Sequence, residues 1–316
     1  MSAPRPLEAL RFRDFRALWA GQIVSLTGTQ MQSVAIHWHV YLLTGSPLAL
    51  GLVGLTRAVP IVLFSLLGGV VADRRDRRVV MGAAQAAMTL AALLLAGLTF
   101  TGRDSLAAIY VVTALSASAS AFDGPARQAL LPRLVPLSHL SGAVSLNLAM
   151  FHAAMISGPA LAGLLIARLA PGAAHGARGL GWIYLGNALS FGAVLLALAT
   201  MRTSGKVEAP PEGHAAPLEA LREGLRFVFT TPVMVWTMAL DFFATFFSGA
   251  LSLLPIVADR VLGVGGHGYG WLMTAPAVGA LAGALLTSVA RLPRRQGVVL
   301  LASVAAYGGL TVVYGL

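Results

Sequence analysis

Hydrophobic residues in this chain run in long blocks separated by short polar segments. Nine of the blocks are near twenty residues long, the length a helix needs to cross a hydrocarbon slab about 30 Å thick at a rise of about 1.5 Å per residue. They cover Leu18 to Leu43, Leu48 to Ala72, Val79 to Phe100, Leu106 to Phe122, Val144 to Leu169, Trp182 to Met201, Val233 to Val257, Tyr269 to Ala290 and Gly297 to Leu316. The first block is too long for the apolar core of a secretory signal, and no small-residue cleavage site precedes the second. It is therefore expected to stay in the mature protein as a membrane span.

Composition removes the soluble alternatives. Of 316 residues, 57% are apolar and 11% are charged, against roughly 25% charge in a soluble globular domain. Mean hydropathy is +0.78, so most apolar side chains must face lipid. The formal charge of +10 comes in short clusters between apolar runs, without the continuous patch and interleaved aromatics that a polyphosphate needs, so nucleic acid is not a partner. With no cysteine in the chain, disulfides, thiolate metal sites and cysteine nucleophiles are excluded.

Where the basic residues fall fixes the expected orientation. With the N-terminus in the cytoplasm, Lys and Arg divide seventeen inside to four outside, the outer set being Arg103, Arg168, Arg178 and Arg260, with Arg57 alone inside a span. Such an excess marks cytoplasmic loops. The longest polar stretch, Arg202 to Pro232, opens with TSGKVEAPPEGHAAP and then places Leu218, Leu221, Leu225 and Val228 at helical spacing. This reads as a linker followed by an amphipathic helix on the inner membrane surface.

The chain also carries an internal repeat. LEALR occurs at Leu7 to Arg11 and again at Leu218 to Arg222, an offset of 211 residues. Arg74, Arg77 and Arg78 after the second block align with Arg291, Arg294 and Arg295 after the eighth at an offset of 217, and Pro60 aligns with Pro276 within one residue of it. A duplicated six-helix unit is the expectation. The fold class is then all-α and polytopic: an N-terminal six-helix bundle over 1–201, a linker over 202–232, and three helices of a second bundle over 233–316.

GGVVADRRDRR, from Gly68 to Arg78, resembles the loop 2-3 signature of the major facilitator superfamily at Gly69, Asp73, Arg74, Arg77 and Arg78, with Asp76 where many members have Gly. PARQALLPRLVP (Pro125 to Pro136), SGPALAG (Ser157 to Gly163) and LPIVADRVLGVGGHGYG (Leu254 to Gly270) are similar to the bacterial drug and siderophore exporter branch. The resemblance implies a secondary transporter of the bacterial inner membrane that exports a small amphipathic molecule by alternating access, with protons as the coupling ion in antiport. It implies a gate latch at Asp73 and its arginines, and an antiporter motif at Gly158, Pro159 and Gly163. The glycines would permit close helix approach while Pro159 bends its helix.

Charge at membrane depth costs about 2.5 to 3.5 kcal/mol on insertion scales and needs a reason. Asp241 lies eight residues into the seventh block and Arg57 nine residues into the second. Asp241 is the candidate for proton coupling or substrate contact. Arg57 either pairs with it or holds an anionic substrate group. In the first block Gln22, Ser25, Thr29, Gln32 and Ile36 share a helix face, and Gln22, Thr29 and Gln32 are candidates for a cavity lining. His37 and His39 point about 200° apart and are interface residues rather than a metal site. His152 is read as a core histidine, and Asp123 as the end of the fourth span, starting a following helix or pairing with Arg127.

No cofactor is expected, and no enzyme. The chain's one lysine, Lys206, lacks a phosphate-cradling context, and neither H-E-x-x-H nor clustered aspartates for Mg²⁺ occur. Six helices followed by three leave the repeat incomplete after the ninth helix. A second chain supplying the missing helices, or a non-transporting fragment or accessory subunit, is the alternative.

Overall fold

A computed structural model describes residues 6–170, 176–206, 226–247, 249–289 and 296–315, and every regular element among them is helical. After a 3-10 turn at Pro6–Arg11 the chain forms α1 (Arg13–Thr44), α2 (Pro47–Arg74), α3 (Arg77–Thr101), α4 (Leu106–Leu134), α5 (Leu140–Leu169) and α6 (Gly176–Thr200). Further on are α7 (Pro232–Phe247), a broken stretch ending in a π-helical turn at Val257–Val261, α8 (Gly265–Val289) and α9 (Gln296–Gly315). Of the amphipathic positions, Val228 lies in a helical stretch at 226–230. Leu218, Leu221 and Leu225 lie outside the described residues, as do Arg291, Arg294 and Arg295.

Among the described residues five helices, α2 to α6, are long and apolar enough to cross a membrane. The 32-residue α1 is not among them, because glutamines, hydroxyls and histidines punctuate its length. The chain divides into two compact units, Met1–Glu208 with Leu254–Gly279, and Ala209–Leu253 with Ala280–Leu316.

Within the first unit α1 packs on α5 and α6, α2 on α4, and α3 on both α4 and α6. Short connections force successive helices to run antiparallel. Gly45 ends α1 in the left-handed region at φ 58°, and Ser46 caps α2 with Pro47 in its first turn, a stop and start signal written in three adjacent residues. Two buried clusters form at opposite ends. Phe15, Leu18, Met81, Leu130, Leu146 and Val194 fill the N-terminal end, and Trp38, Leu50, Leu95, Ile109, Ile166 and Tyr184 fill the other. Outward-facing side chains are as apolar as the core. Leu48, Val62, Leu90 and Leu189 are each about 70% exposed, the surface that hydrocarbon rather than water tolerates.

Two boundaries differ from the pattern expected. The fourth span does not end at Phe122, because α4 continues through Asp123, Pro125 and Pro132 to Leu134. Asp123 is buried inside the helix and accepts from Gln85 Nε2 at 2.8 Å, while Arg127 donates to Gln22 Oε1 at 3.0 Å. These contacts to α3 and α1 hold the segment helical where a proline alone would break it. The seventh block is not one helix to Val257. It breaks after Phe247 into a 3-10 turn at Gly249–Leu253 and then the π-helical turn, around Pro255, which has no N–H to give an α-helical ladder.

Past α6, the residues expected to open the linker are bonded to the bundle. The carboxylate of Asp14, four residues before the first apolar block, accepts from the Thr203 hydroxyl at 2.6 Å and from the backbone N–H of Thr203 and Arg202 at 2.7 and 3.0 Å. Burial opposes its ionisation, but these bonds and the nearby Arg13 charge outweigh that effect and hold Asp14 below the ordinary carboxylate value. A depressed carboxyl contributes stability that is full above its unfolded value of about 3.9 and lost as pH falls through the folded one. Asp14→Ala should therefore melt at a lower temperature than the parent at neutral pH in detergent, and the two melting curves should converge below about pH 4.

Candidate functional site

Three places in the first unit carry polar chemistry, and the first is the turn between α2 and α3. Asp76 caps α3, its Oδ1 accepting from the backbone N–H of Arg78 at 2.9 Å. Capping replaces the conformational freedom of the glycine many relatives of the motif have here. Arg78 donates to the carbonyls of Met201 and Ala199 at 2.9 and 3.1 Å, and Arg77 to that of Ala129 at 3.0 Å. Both guanidiniums thus close helix C-terminal regions, where the dipole favours a cation. Asp73 and Arg74 are exposed, and Asp73 makes no ion pair among the described residues, so Arg74, Arg77 and Arg78 are not its partners in this conformation. A Cβ on Gly69 would meet open space. Gly68 is the close-packed glycine, against the Ala121 carbonyl of α4.

The second place is a cavity of about 60 Å³ lined by residues of α1, α2, α3 and α4. Arg57 enters it from α2 and donates to Ser33 Oγ at 2.7 Å. Thr29, Gln32, His37, Thr113 and Ser116 also line it. Gln32 Oε1 accepts from Asn187 of α6 at 2.8 Å, and Thr29 donates back to the Ser25 carbonyl at 2.9 Å. Gln22 is buried nearer the N-terminal end, bonded to Arg127, and is not part of this lining. The polar stripe of α1 therefore divides, one part joining helices and the other facing a cavity. Asp241 lies in the second unit on α7, with its side chain exposed.

The third place is the end of the bundle where α1 and α5 finish. The Tyr41 hydroxyl donates to Asp259 Oδ2 at 2.6 Å, Arg260 lies 5.8 Å from the Tyr41 ring centre, and Trp38 stacks on Tyr269 at 5.4 Å. Beside them is a cavity of about 610 Å³, lined in part by Tyr41, Ala170, Asp259, Arg260 and His267. Gly158 lets α5 meet α1 at Thr27 and Met31. A Cβ on Gly163 would stand 2.6 Å from Gly270 Cα on α8. Pro159 is buried within an unbroken α5, and its carbonyl lies against Gly270.

His39 and His37, two residues apart, separate as their spacing requires. His39 is buried between Asp104 Oδ2 at 2.7 Å and the Tyr184 hydroxyl at 3.0 Å, while His37 binds the Ser33 carbonyl at 2.8 Å. Sequence reasoning did not join His39 to Asp104, or Tyr41 to Asp259 across 218 residues. One signal was available for the second contact: the string VADR at 71–74, whose acid belongs to the loop motif, occurs again at 257–260, outside the repeat register.

Comparison with known proteins sets these features in a family. Residues 4–314 match the transmembrane secretion effector family. The chain belongs to that family of major facilitator transporters. It is 25% identical over 289 residues to the enterobactin exporter EntS of Shigella boydii, and 24% identical over the same length to that of Escherichia coli O139:H28. Each alignment takes in 92% of the chain and 66% of the exporter. An uncharacterized MFS-type transporter of Bacillus subtilis, YfiS, is 26% identical over 224 residues, covering 71% of the chain and 51% of YfiS. The chain thus spans just under two thirds of the length of the exporters it matches. It is a multi-pass membrane protein of a transporter family, not an enzyme.

In this secretion effector family member the α5–α8 contact depends on two facing hydrogens. Gly163→Ala must separate the backbones, and overpacking of this kind costs about 1 to 3 kcal/mol. A drop of several degrees in the melting temperature of the purified protein, with far-UV helix content unchanged, is the expected result.

Proposed function

We propose that this chain forms the substrate-handling core of a secondary active exporter of a small amphipathic molecule, of drug or siderophore type, working by alternating access with proton antiport. The observation that carries this reading is the asymmetry of the two ends of the first unit. One end is closed by Tyr41 on Asp259, Trp38 on Tyr269 and Gly163 on Gly270. At the other, Asp73 stands exposed without an ion pair among the described residues. A two-state gate has this form when the latch on one side is made and that on the other is open.

On this reading the closed end faces outward and the N-terminal end faces the cytoplasm of a bacterial inner membrane. Asp73, with Gly69, Arg74, Arg77 and Arg78 around it, is the inner latch. Gly158, Pro159 and Gly163 are the outer hinge. Arg57, Thr29 and Gln32 contact substrate, Gln22 ties the inner half of α1 to α4, and Asp241 carries the coupling proton. The transport unit includes a complete second bundle, from the same polypeptide or from a second chain.

Efflux of an amphipathic dye from cells expressing the chain should follow the proton gradient and stop with a protonophore. Asp73→Asn should slow it by about tenfold or more, equivalent to ~1.4 kcal/mol of lost gate stabilisation, and Asp241→Asn should flatten its pH dependence. No gradient-dependent efflux of any amphipathic compound would sink the transport reading in favour of an accessory subunit.

The closed end has its own test, since a chain without cysteine can be labelled at one introduced thiol. Ala170 is buried beside the outer cavity. An Ala170→Cys thiol should react faster with maleimide when Tyr41→Phe removes the bond to Asp259. An unchanged rate would mean that this bond does not hold the end shut.

A further inference from the structure

We infer that the cavity around Arg57 is an oxyanion subsite, taking the carboxylate of an amphipathic solute and excluding lipophilic cations. This deepens the export reading by naming a substrate class, and rests on it only for the claim that the bound molecule is cargo.

The first argument is charge. Arg57 is the one ionic side chain of the cavity lining, which contains no Asp or Glu. Its guanidinium has five donors in a planar fork, and the contact to Ser33 Oγ engages one of them. A cation held at membrane depth without a carboxylate is costly, and an anionic ligand removes that cost on binding.

The second argument is the hydrogen-bond inventory. Ser33 Oγ accepts from Arg57, so its own O–H is left to donate. Gln32 has its carbonyl oxygen engaged by Asn187, which leaves the amide NH₂. Thr113 is 5% exposed, and its buried hydroxyl has no partner among the described residues. A buried hydroxyl without a partner is rare enough to need a reason, and Thr113 belongs to the same lining as Arg57. The guanidinium, the Ser33 hydroxyl and the Gln32 amide thus bring three donor groups to one lining that holds no carboxylate, as an oxyanion requires.

Size limits what enters. About 60 Å³ is on the order of two water molecules' share of liquid volume, at ~30 Å³ each. One carboxylate group fits there and a whole amphipath does not, so the subsite reads a headgroup.

The test uses the full chain purified in mild detergent, with salicylate as probe, neutral salicylamide as its uncharged control and tetraphenylphosphonium as the cation. Salicylate should raise the melting temperature where the other two do not. Arg57→Gln should weaken salicylate binding by about tenfold or more, and Arg57→Lys should recover part of it. Thr113→Val should also weaken binding while melting no lower than the parent in the absence of ligand, which keeps the test open if Arg57→Gln does not fold. Equal binding to the parent and Arg57→Gln would overturn the proposal. So would an Arg57-dependent shift with tetraphenylphosphonium, or stabilisation by phosphatidylglycerol with none by salicylate, which would mark a lipid phosphate site. Dye efflux without Arg57-dependent salicylate binding removes the subsite and leaves export standing. Arg57-dependent binding without efflux of any compound does the reverse.

Discussion

A polar side chain inside hydrocarbon has to find its partner on another helix, and the first unit is assembled around the helix that has the most such debts. Along α1, Gln22 meets Arg127 of α4, Gln32 meets Asn187 of α6, Ser33 meets Arg57 of α2, His39 meets Tyr184 and Asp104, and Tyr41 meets Asp259. The bonds go to α2, α4, α6 and the segments at Asp104 and Asp259, so together they fix the rotation of α1 about its axis. Without them the apolar surfaces alone would leave that rotation poorly determined, since lipid tails are as apolar as a neighbouring helix.

The same economy explains why the functional candidates cluster on α1 and its neighbours. Polar groups that link helices and polar groups that line the Arg57 cavity share one stripe, and Gln32 belongs to both sets. The bundle's hydrogen bonding and its cavity are therefore coupled. A change in helix packing that moved Asn187 away from Gln32 would free an acceptor beside Arg57 and alter what the cavity can hold.

Much of the fold was legible because twenty-residue apolar blocks are local signals. Where the reading failed, the deciding contact was remote. Asp123 and Pro125 look like a helix end, but contacts to Gln85 on α3 and Gln22 on α1 carry α4 past them. Gly249 to Val257 reads as apolar helix until Pro255 and the closing contact of Asp259 are placed. At the site, Arg57, Thr29 and Gln32 stood out as polar residues at depth. Thr113 did not, because a single hydroxyl in a helix is unremarkable until its want of a partner is seen. Gly69 was marked by the motif, but it is Gly68 whose missing side chain lets α2 reach α4.

The segment following α6 has a mechanical meaning. Between Met201 and Lys206 the backbone is held by Asp14 before the first span, by Arg77 and Arg78 at the turn between α2 and α3, and by Arg133 near the end of α4, whose guanidinium donates to the Lys206 carbonyl at 2.6 Å. The first bundle therefore reaches at least to Lys206, beyond its last apolar residue. Any pull arriving along the linker is shared at once among four helices and cannot peel α6 away on its own, so the N-terminal bundle would respond to such a force as a single rigid block.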